Sequence, residues 1–306
     1  MFRKFFMYVE IKTKITSLFA FLMSLAYLFY AGNPIRWELT LLFFGAMFLF
    51  DLTTTAINNY IDSKDHLHML PFSRRTGLVL ILLLFLASAG MGLYLAWLTN
   101  VVVLLLGGLC FLCGVFYTYG PVPISRQPMG ELMSGLFYGI LIPFLLLYIN
   151  MPEGTYLTLL LSLGEINLNL QVLPLLTLLL LTVPPFCATA NIMLANNTCD
   201  LEADILVKRF TLPYYLGKER AVNLFATLYL AAYITPCILV LGGLLHPVTL
   251  LFLLTAPRCL KNIQAFREEQ IKSKTFIVSI KNYVLIMGSY SFVLFLGGLL
   301  ERFWRR

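Results

Sequence analysis

The chain of 306 residues holds five aspartates, and they are clustered: Asp51, Asp62 and Asp65 in one segment, Asp200 and Asp204 in another. Paired asparagines precede both groups. One segment reads Asn58-Asn59-Tyr60-Ile61-Asp62-Ser63-Lys64-Asp65-His66, and the other reads Asn196-Asn197-Thr198-Cys199-Asp200-Leu201-Glu202-Ala203-Asp204. The two superpose at an offset of 138 residues, with Asn58 on Asn196, Asn59 on Asn197 and Asp62 on Asp200. Residues at i, i+4 and i+8 of a helix share a face. Asn196, Asp200 and Asp204 therefore project together, as do Asn58, Asp62 and either Asp65 or His66. Carboxylate stripes of this kind repel one another unless a cation joins them. Hard oxygen donors select Mg²⁺, whose shell is completed by water and by substrate phosphates. One such turn alone reads as an ordinary polar helix end. The matched pair reads as a magnesium–diphosphate site, with Asp62, Asp65, Asp200 and Asp204 as metal ligands.

A diphosphate also needs fixed positive charge. Lys64, Arg74, Arg75, Arg126, Lys208 and Arg209 lie in the same or neighbouring polar segments. Arg126 and Arg209 are the strongest of these, because each falls within a motif-like loop. Asp51 stands apart. It precedes Asp62 by eleven residues, on the same helix face and two turns deeper, with Thr55 on the same stripe. Two roles fit it equally: orienting or deprotonating an acceptor hydroxyl, or packing as a hydrogen-bonded acid against Thr or Asn191.

The elements that must position these groups are set by composition. Apolar residues make up 59% of the chain and charged residues only 12%, with a mean hydropathy of +0.84. Soluble domains carry about 45–50% apolar and about 25% charged residues. A soluble enzyme, a disulfide scaffold and a disordered chain are excluded, and the long apolar runs disfavour a β-barrel. The reading is an all-α, polytopic helical bundle of about nine spans, at 15–32, 38–58, 77–98, 100–118, 132–150, 170–196, 220–243, 246–262 and 276–300. The offset between the two motifs divides it into pseudo-repeat halves of about 15–131 and 132–262, followed by the final span 276–300, all in one transmembrane domain. With the N-terminus cytoplasmic, 18 of the 22 Lys and Arg residues fall on the cytoplasmic side, as the positive-inside bias requires. The net charge of +7 is thus a topological feature and not a nucleic-acid footprint. Both motifs open to the cytoplasmic side of the cell membrane. The six cysteines lie in or beside apolar runs, and the Cys110/Cys113 pair reads as helix packing.

Three segments together resemble the UbiA superfamily of intramembrane aromatic prenyltransferases. They are Asn58 to His66; Tyr117-Thr118-Tyr119-Gly120-Pro121-Val122-Pro123 with Gly130-Glu131; and Asn196 to Asp204 with Lys208-Arg209, Thr211-Leu212 and Leu216-Gly217. Within the superfamily the chain is most similar to the 1,4-dihydroxy-2-naphthoate polyprenyltransferases of menaquinone synthesis. It departs at Asn59, where many members carry aspartate, and at His66, where the last aspartate of the first motif is expected one position beyond Asp65. Asp65 is expected to complete the first site, because Mg²⁺ prefers oxygen to imidazole.

The resemblance implies transfer of a polyprenyl group from its diphosphate to an aromatic acceptor, most simply 1,4-dihydroxy-2-naphthoate, to give demethylmenaquinone. It implies Mg²⁺ as cofactor and the lipid bilayer as surroundings. Asp62, Asp200, Asp204 and Asp51 are then catalytic, and Asn58, Asn196, Asn197, Lys64, Tyr117, Arg126, Lys208 and Arg209 bind substrate. Tyr60, Tyr117 and Tyr119 are candidates to face an allylic cation. The alternatives are another aromatic acceptor, 4-hydroxybenzoate or haem, and a secondary transporter. A transporter would place its charges near the bilayer midplane, whereas these cluster at one mouth.

Overall fold

The structure is a computed structural model and describes residues 2–63, 70–121 and 123–304. Among them, eight helices are long and apolar enough to cross a membrane. The run expected at 246–262 takes a different form. Residues Pro247–Thr255 wind as a 3₁₀ helix and continue directly into an α-helix, Ala256–Glu268. Pro247, Pro257, Arg258 and Lys261 break the uniform apolar pattern there. At about 2.0 and 1.5 Å of rise per residue, the combined run is still about 37 Å long.

The chain divides into two compact units. The first comprises residues 1–18 and 36–124. It contains α1 (Phe2–Tyr8), the start of α2 (Ile15–Tyr30), α3 (Trp37–Asp62), α4 (Arg74–Leu98) and α5 (Val101–Thr118). Polar caps fix where the later helices begin. Ser73 Oγ accepts from the Thr76 amide at 3.2 Å, opening α4. Asn100 Oδ1 accepts from the Val102 and Val103 amides, opening α5. Each satisfies donors that a helix N-terminus leaves unpaired. The unit's core gathers Tyr8, Val9, Leu52, Ala56 and Ile81.

The second unit comprises residues 19–35 and 125–306. It holds the rest of α2, then α6 (Gly130–Ser134), a π-helical turn at Gly135–Leu141 and α7 (Ile142–Asn150). After a two-stranded hairpin come α8 (Val172–Cys199), α9 (Leu201–Leu206), α10 (Leu212–Leu216), α11 (Lys218–Leu241), the 3₁₀ run with α12 (Ala256–Glu268), and α13 (Ile277–Trp304). Pro184 and Pro185 lie inside α8. Pro185 cannot donate to the Leu181 carbonyl, and the buried Tyr290 hydroxyl of α13 donates to that oxygen instead, at 3.3 Å. The π-helical turn packs on the same place. A Cβ added to Gly139 would lie 2.3 Å from Phe186 Cα, so only glycine permits this approach. Two buried amides tie further helices: Asn191 Nδ2 donates to Phe225 O at 3.0 Å, and Asn262 Nδ2 to Asn282 Oδ1 at 2.6 Å. Such bonds hold helices where no water competes.

The hairpin departs from a purely helical reading. Strands β1 (Leu157–Ser162) and β2 (Glu165–Leu170) pair antiparallel in the segment expected as a plain loop.

Candidate functional site

In the first unit, α3 carries Asn58 and Asp62 to its C-terminal end. Asn58 Nδ2 donates to Asp62 Oδ2 at 3.2 Å, and Asn58 Oδ1 accepts from Thr118 Oγ1 at 3.1 Å. The i, i+4 geometry expected from sequence is therefore realised, and Asn58 is oriented from both sides. Thr118, at the end of α5, belongs to the Tyr117–Pro123 segment singled out above. Asn59 points elsewhere, donating to Tyr8 O at 2.9 Å and to Glu10 Oε1 at 3.1 Å. It ties α3 to the N-terminal segment. Tyr60 lies beneath the Arg74 guanidinium, 4.2 Å from carbon to ring centroid, so that face is occupied. Arg74 also donates to Ser63 Oγ at 2.9 Å. Lys64, Asp65 and His66 lie outside the described residues.

Asp51 is engaged through both oxygens. Lys14 Nζ donates to Oδ1 at 2.9 Å, and Ser17 Oγ donates to Oδ2 at 2.7 Å. The same ammonium reaches the Asp51 carbonyl and Thr55 Oγ1. Lys14 is 2% exposed and Asp51 6%. Lys14 is thus not only a flanking charge of the first span: it is the buried partner of an intramembrane acid. The sequence carried a signal for this in the Lys14/Ser17 and Asp51/Thr55 spacings, which put each pair on one helix face.

In the second unit, α8 ends at Cys199, and Asp200 joins it to α9 with φ −95° and ψ 3°. The break divides the expected i, i+4, i+8 stripe. Asn196 Oδ1 and Asp200 Oδ2 both accept from Lys272 Nζ, supplied by the segment before α13. Asp204 instead faces Arg209, whose Nε lies 4.0 Å from its Oδ1. Arg209 is itself held by Ser125 O at 3.0 Å, and Phe210 N donates to Arg126 O. These bonds join the Arg126 loop to the Lys208–Arg209 loop. Lys208, exposed at the end of α9, takes φ 55°, and Arg209 N bonds back to Asp204 O. That is a helix terminus usually given to glycine or asparagine.

Asn197 is buried and donates to Glu131 Oε1 at 2.9 Å. The Gly130-Glu131 motif and the second asparagine of the Asn-Asn pair thus meet, and Glu131 is a partner that sequence reasoning did not assign. Asn197 Oδ1, Glu131 Oε2 and Asp204 Oδ2 are buried without hydrogen-bond partners. Burial pushes the Asp204 carboxyl above the usual carboxylate range, and the Asp200 charge adds to this, while Arg209 and Lys272 oppose it.

The second motif's donor set fits a hard divalent cation. It already accepts an ammonium between Asn196 and Asp200, and one buried Asp204 oxygen has no partner. Among the described residues, no three His, Cys, Asp or Glu side chains gather in a metal-binding cluster. A bound Mg²⁺ would therefore draw much of its shell from water and substrate oxygens, its habitual mode.

A family model described as the UbiA prenyltransferase family matches residues 17–296. The chain belongs to the UbiA prenyltransferase family. It is a multi-pass membrane protein of that family, as its apolar helices require. A relative named 1,4-dihydroxy-2-naphthoate octaprenyltransferase, from Bacillus subtilis (strain 168), is 27% identical over 264 residues, 82% of this chain and 78% of the relative. Among solved structures, a UbiA homologue from Aeropyrum pernix K1 superposes with a TM-score of 0.63 at 16% identity, covering 90% of this chain and 96% of its own. A UbiA homologue from Archaeoglobus fulgidus, solved with GPP and Mg²⁺, gives a TM-score of 0.61 at 14% identity, covering 95% and 99%. At these identities the structural likeness shows the UbiA fold alone.

Proposed function

We propose that this chain transfers a polyprenyl group from its diphosphate to 1,4-dihydroxy-2-naphthoate, with loss of the ring carboxyl, to give demethylmenaquinone. The observation that carries the reading is the cation held by Asn196 and Asp200 within a motif repeated at Asn58 and Asp62. The name of the Bacillus subtilis relative and the GPP and Mg²⁺ of the Archaeoglobus fulgidus homologue support it.

Asp62 and Asp65 in one motif and Asp200 and Asp204 in the other would hold Mg²⁺. When bound, Mg²⁺ supplies charge that stabilises the departing diphosphate. The chain's own residues do the rest. Lys64, Arg126, Lys208 and Arg209 bring fixed positive charge to the same anion. Asn58 orients the Asp62 carboxylate, Asn196 shares the Lys272 ammonium with Asp200, and Asn197 braces Glu131. The allylic carbon–oxygen bond breaks with its electron pair leaving on the diphosphate. The ring carbon that bears the carboxylate attacks the allylic carbon, and the ring–carboxylate bond then breaks, releasing CO₂ and returning its electron pair to the aromatic ring. Tyr117 offers an aromatic face to the allylic cation. Asp51, held by Lys14 and Ser17, keeps the start of α2 on α3. The N-terminus is cytoplasmic, and both motifs open to that side.

The test supplies the purified protein, in lipid nanodiscs with Mg²⁺, with a polyprenyl diphosphate and either 1,4-dihydroxy-2-naphthoate or 4-hydroxybenzoate. Mass spectrometry identifies the product. Prenylation of the naphthoate with CO₂ release is expected. Exclusive prenylation of 4-hydroxybenzoate would overturn the acceptor.

A further inference from the structure

The hairpin between α7 and α8 has two unlike faces. Its register pairs Leu157 with Leu170, Leu159 with Leu168 and Leu161 with Ile166. Successive side chains of a strand alternate in direction, so these six project to one side. The other side carries Thr158, Asn169, Leu160, Asn167, Ser162 and Glu165. On the apolar side, Leu161 is 52% exposed, Ile166 79%, Leu168 55% and Leu170 50%. A contiguous apolar surface of this kind marks an interaction site. A lone two-stranded hairpin is also marginal in water without something covering its apolar face.

Two observations identify the cover. The first is continuity. Only Gln171 separates Leu170 from α8, whose first turns expose Val172, Leu173, Leu176 and Leu179. Their spacing makes one stripe along the start of a membrane span, and the strand's exposed side chains extend it. The second is the tether. Gln171 N donates to Tyr156 O at 2.8 Å, closing the root of the hairpin. Tyr156 is 4% exposed, and its ring centroid lies 6.0 Å from that of Phe144 in α7. Arms of six residues extend about 20 Å from that root, at about 3.4 Å per residue. Both ends of the hairpin are therefore fixed at the ends of spans. From 157 to 170 the hairpin carries no Lys or Arg, and its one charge, Glu165, is on the polar side.

We infer that the hairpin is an interfacial membrane anchor, its Leu157–Leu170 face lying on the acyl chains beneath the headgroups and its Asn167–Asn169 face turned to water. It does for a strand pair what an amphipathic helix does at the same depth. The partner is the bilayer, and the anchor fixes the α7–α8 connection at the surface.

Single tryptophans report this directly. Leu168→Trp and Asn167→Trp, and as a second pair Ile166→Trp and Glu165→Trp, are placed in the full chain in phosphatidylcholine vesicles. Lipid brominated at shallow acyl positions is the quencher, and the unmodified protein's emission is subtracted. The expected result is added emission that is blue-shifted and quenched at least twofold more strongly for Leu168→Trp and Ile166→Trp than for their neighbours. Equal quenching of both faces overturns the anchor. Blue-shifted emission at 168 and 166 that brominated lipid leaves unquenched also overturns it, and assigns the face to a second copy of the chain.

Discussion

Lys272 reaches back 72 positions to place its ammonium on Asp200, which the sequence pattern assigns to a metal, and 76 positions to Asn196, which it assigns to substrate binding. Half-exposed ion pairs of this kind are worth only about 0.2–1 kcal/mol, and the Lys272 side chain is 44% exposed. The ammonium is therefore a weak occupant of a cation position. Under the proposed function, a divalent ion entering with a diphosphate would displace it at small cost, and the released charge would stay close to the incoming phosphates.

Lys272→Met removes that competitor. Divalent affinity of the substrate-free protein, read by Mn²⁺ paramagnetic resonance, should then rise by up to about fivefold, the equivalent of about 1 kcal/mol. The KM for polyprenyl diphosphate should rise in the same variant, since a cation is lost. Unchanged Mn²⁺ binding would show that Lys272 does not stand on the metal position.

The Lys14–Asp51 pair predicts a stability effect. Removing one member of a buried pair strands the other and costs about 3–5 kcal/mol. Lys14→Met should lower the thermal midpoint in detergent by several degrees, and Lys14→Met with Asp51→Leu should recover most of that loss. Prenyl transfer by the stable double variant should persist, because both Asp51 oxygens are bound to structural partners. A stable double variant without turnover would assign Asp51 to the acceptor.

These contrasts show what the sequence made legible. Asn58–Asp62 and Asn196–Asp200 are local, one helical turn apart, so spacing alone placed each pair on a common face. The helix break at Asp200 was not legible, and beyond it Asp204 faces Arg209 while Asp200 bonds Lys272. Lys272 was readable only as one more positive-inside charge, since nothing local links it to a residue 72 positions away. Lys14 was masked in a similar way: its spacing to Ser17 was present, but a lysine before an apolar run is ordinary at a membrane boundary. The hairpin's alternation was present at Leu157, Leu159 and Leu161 and at Ile166, Leu168 and Leu170, but it lies between long apolar runs that dominate the hydropathy signal.

The irregular end of the first motif gives a ranking. Mg²⁺ takes oxygen ligands, and a protonated imidazole repels it. Asp65→Ala should therefore raise the Mg²⁺ concentration needed for half-maximal transfer by about tenfold or more, equivalent to about 1.4 kcal/mol. His66→Ala should leave most activity. A Mg²⁺ titration of both variants checks this, and the reverse order would move the ligand to His66.

Under the proposed function, each asparagine–aspartate motif holds magnesium for the diphosphate of the prenyl donor. The most direct measurement is Mg²⁺-dependent pyrophosphate release and prenyl transfer by Asp62→Ala and Asp200→Ala, each verified as folded by its thermal midpoint. Both side chains sit at helix ends, so both variants should fold and bind the membrane as before, and each should lose turnover by at least about a hundredfold, equivalent to about 2.7 kcal/mol of transition-state stabilisation. Near-normal turnover in either folded variant would contradict the account.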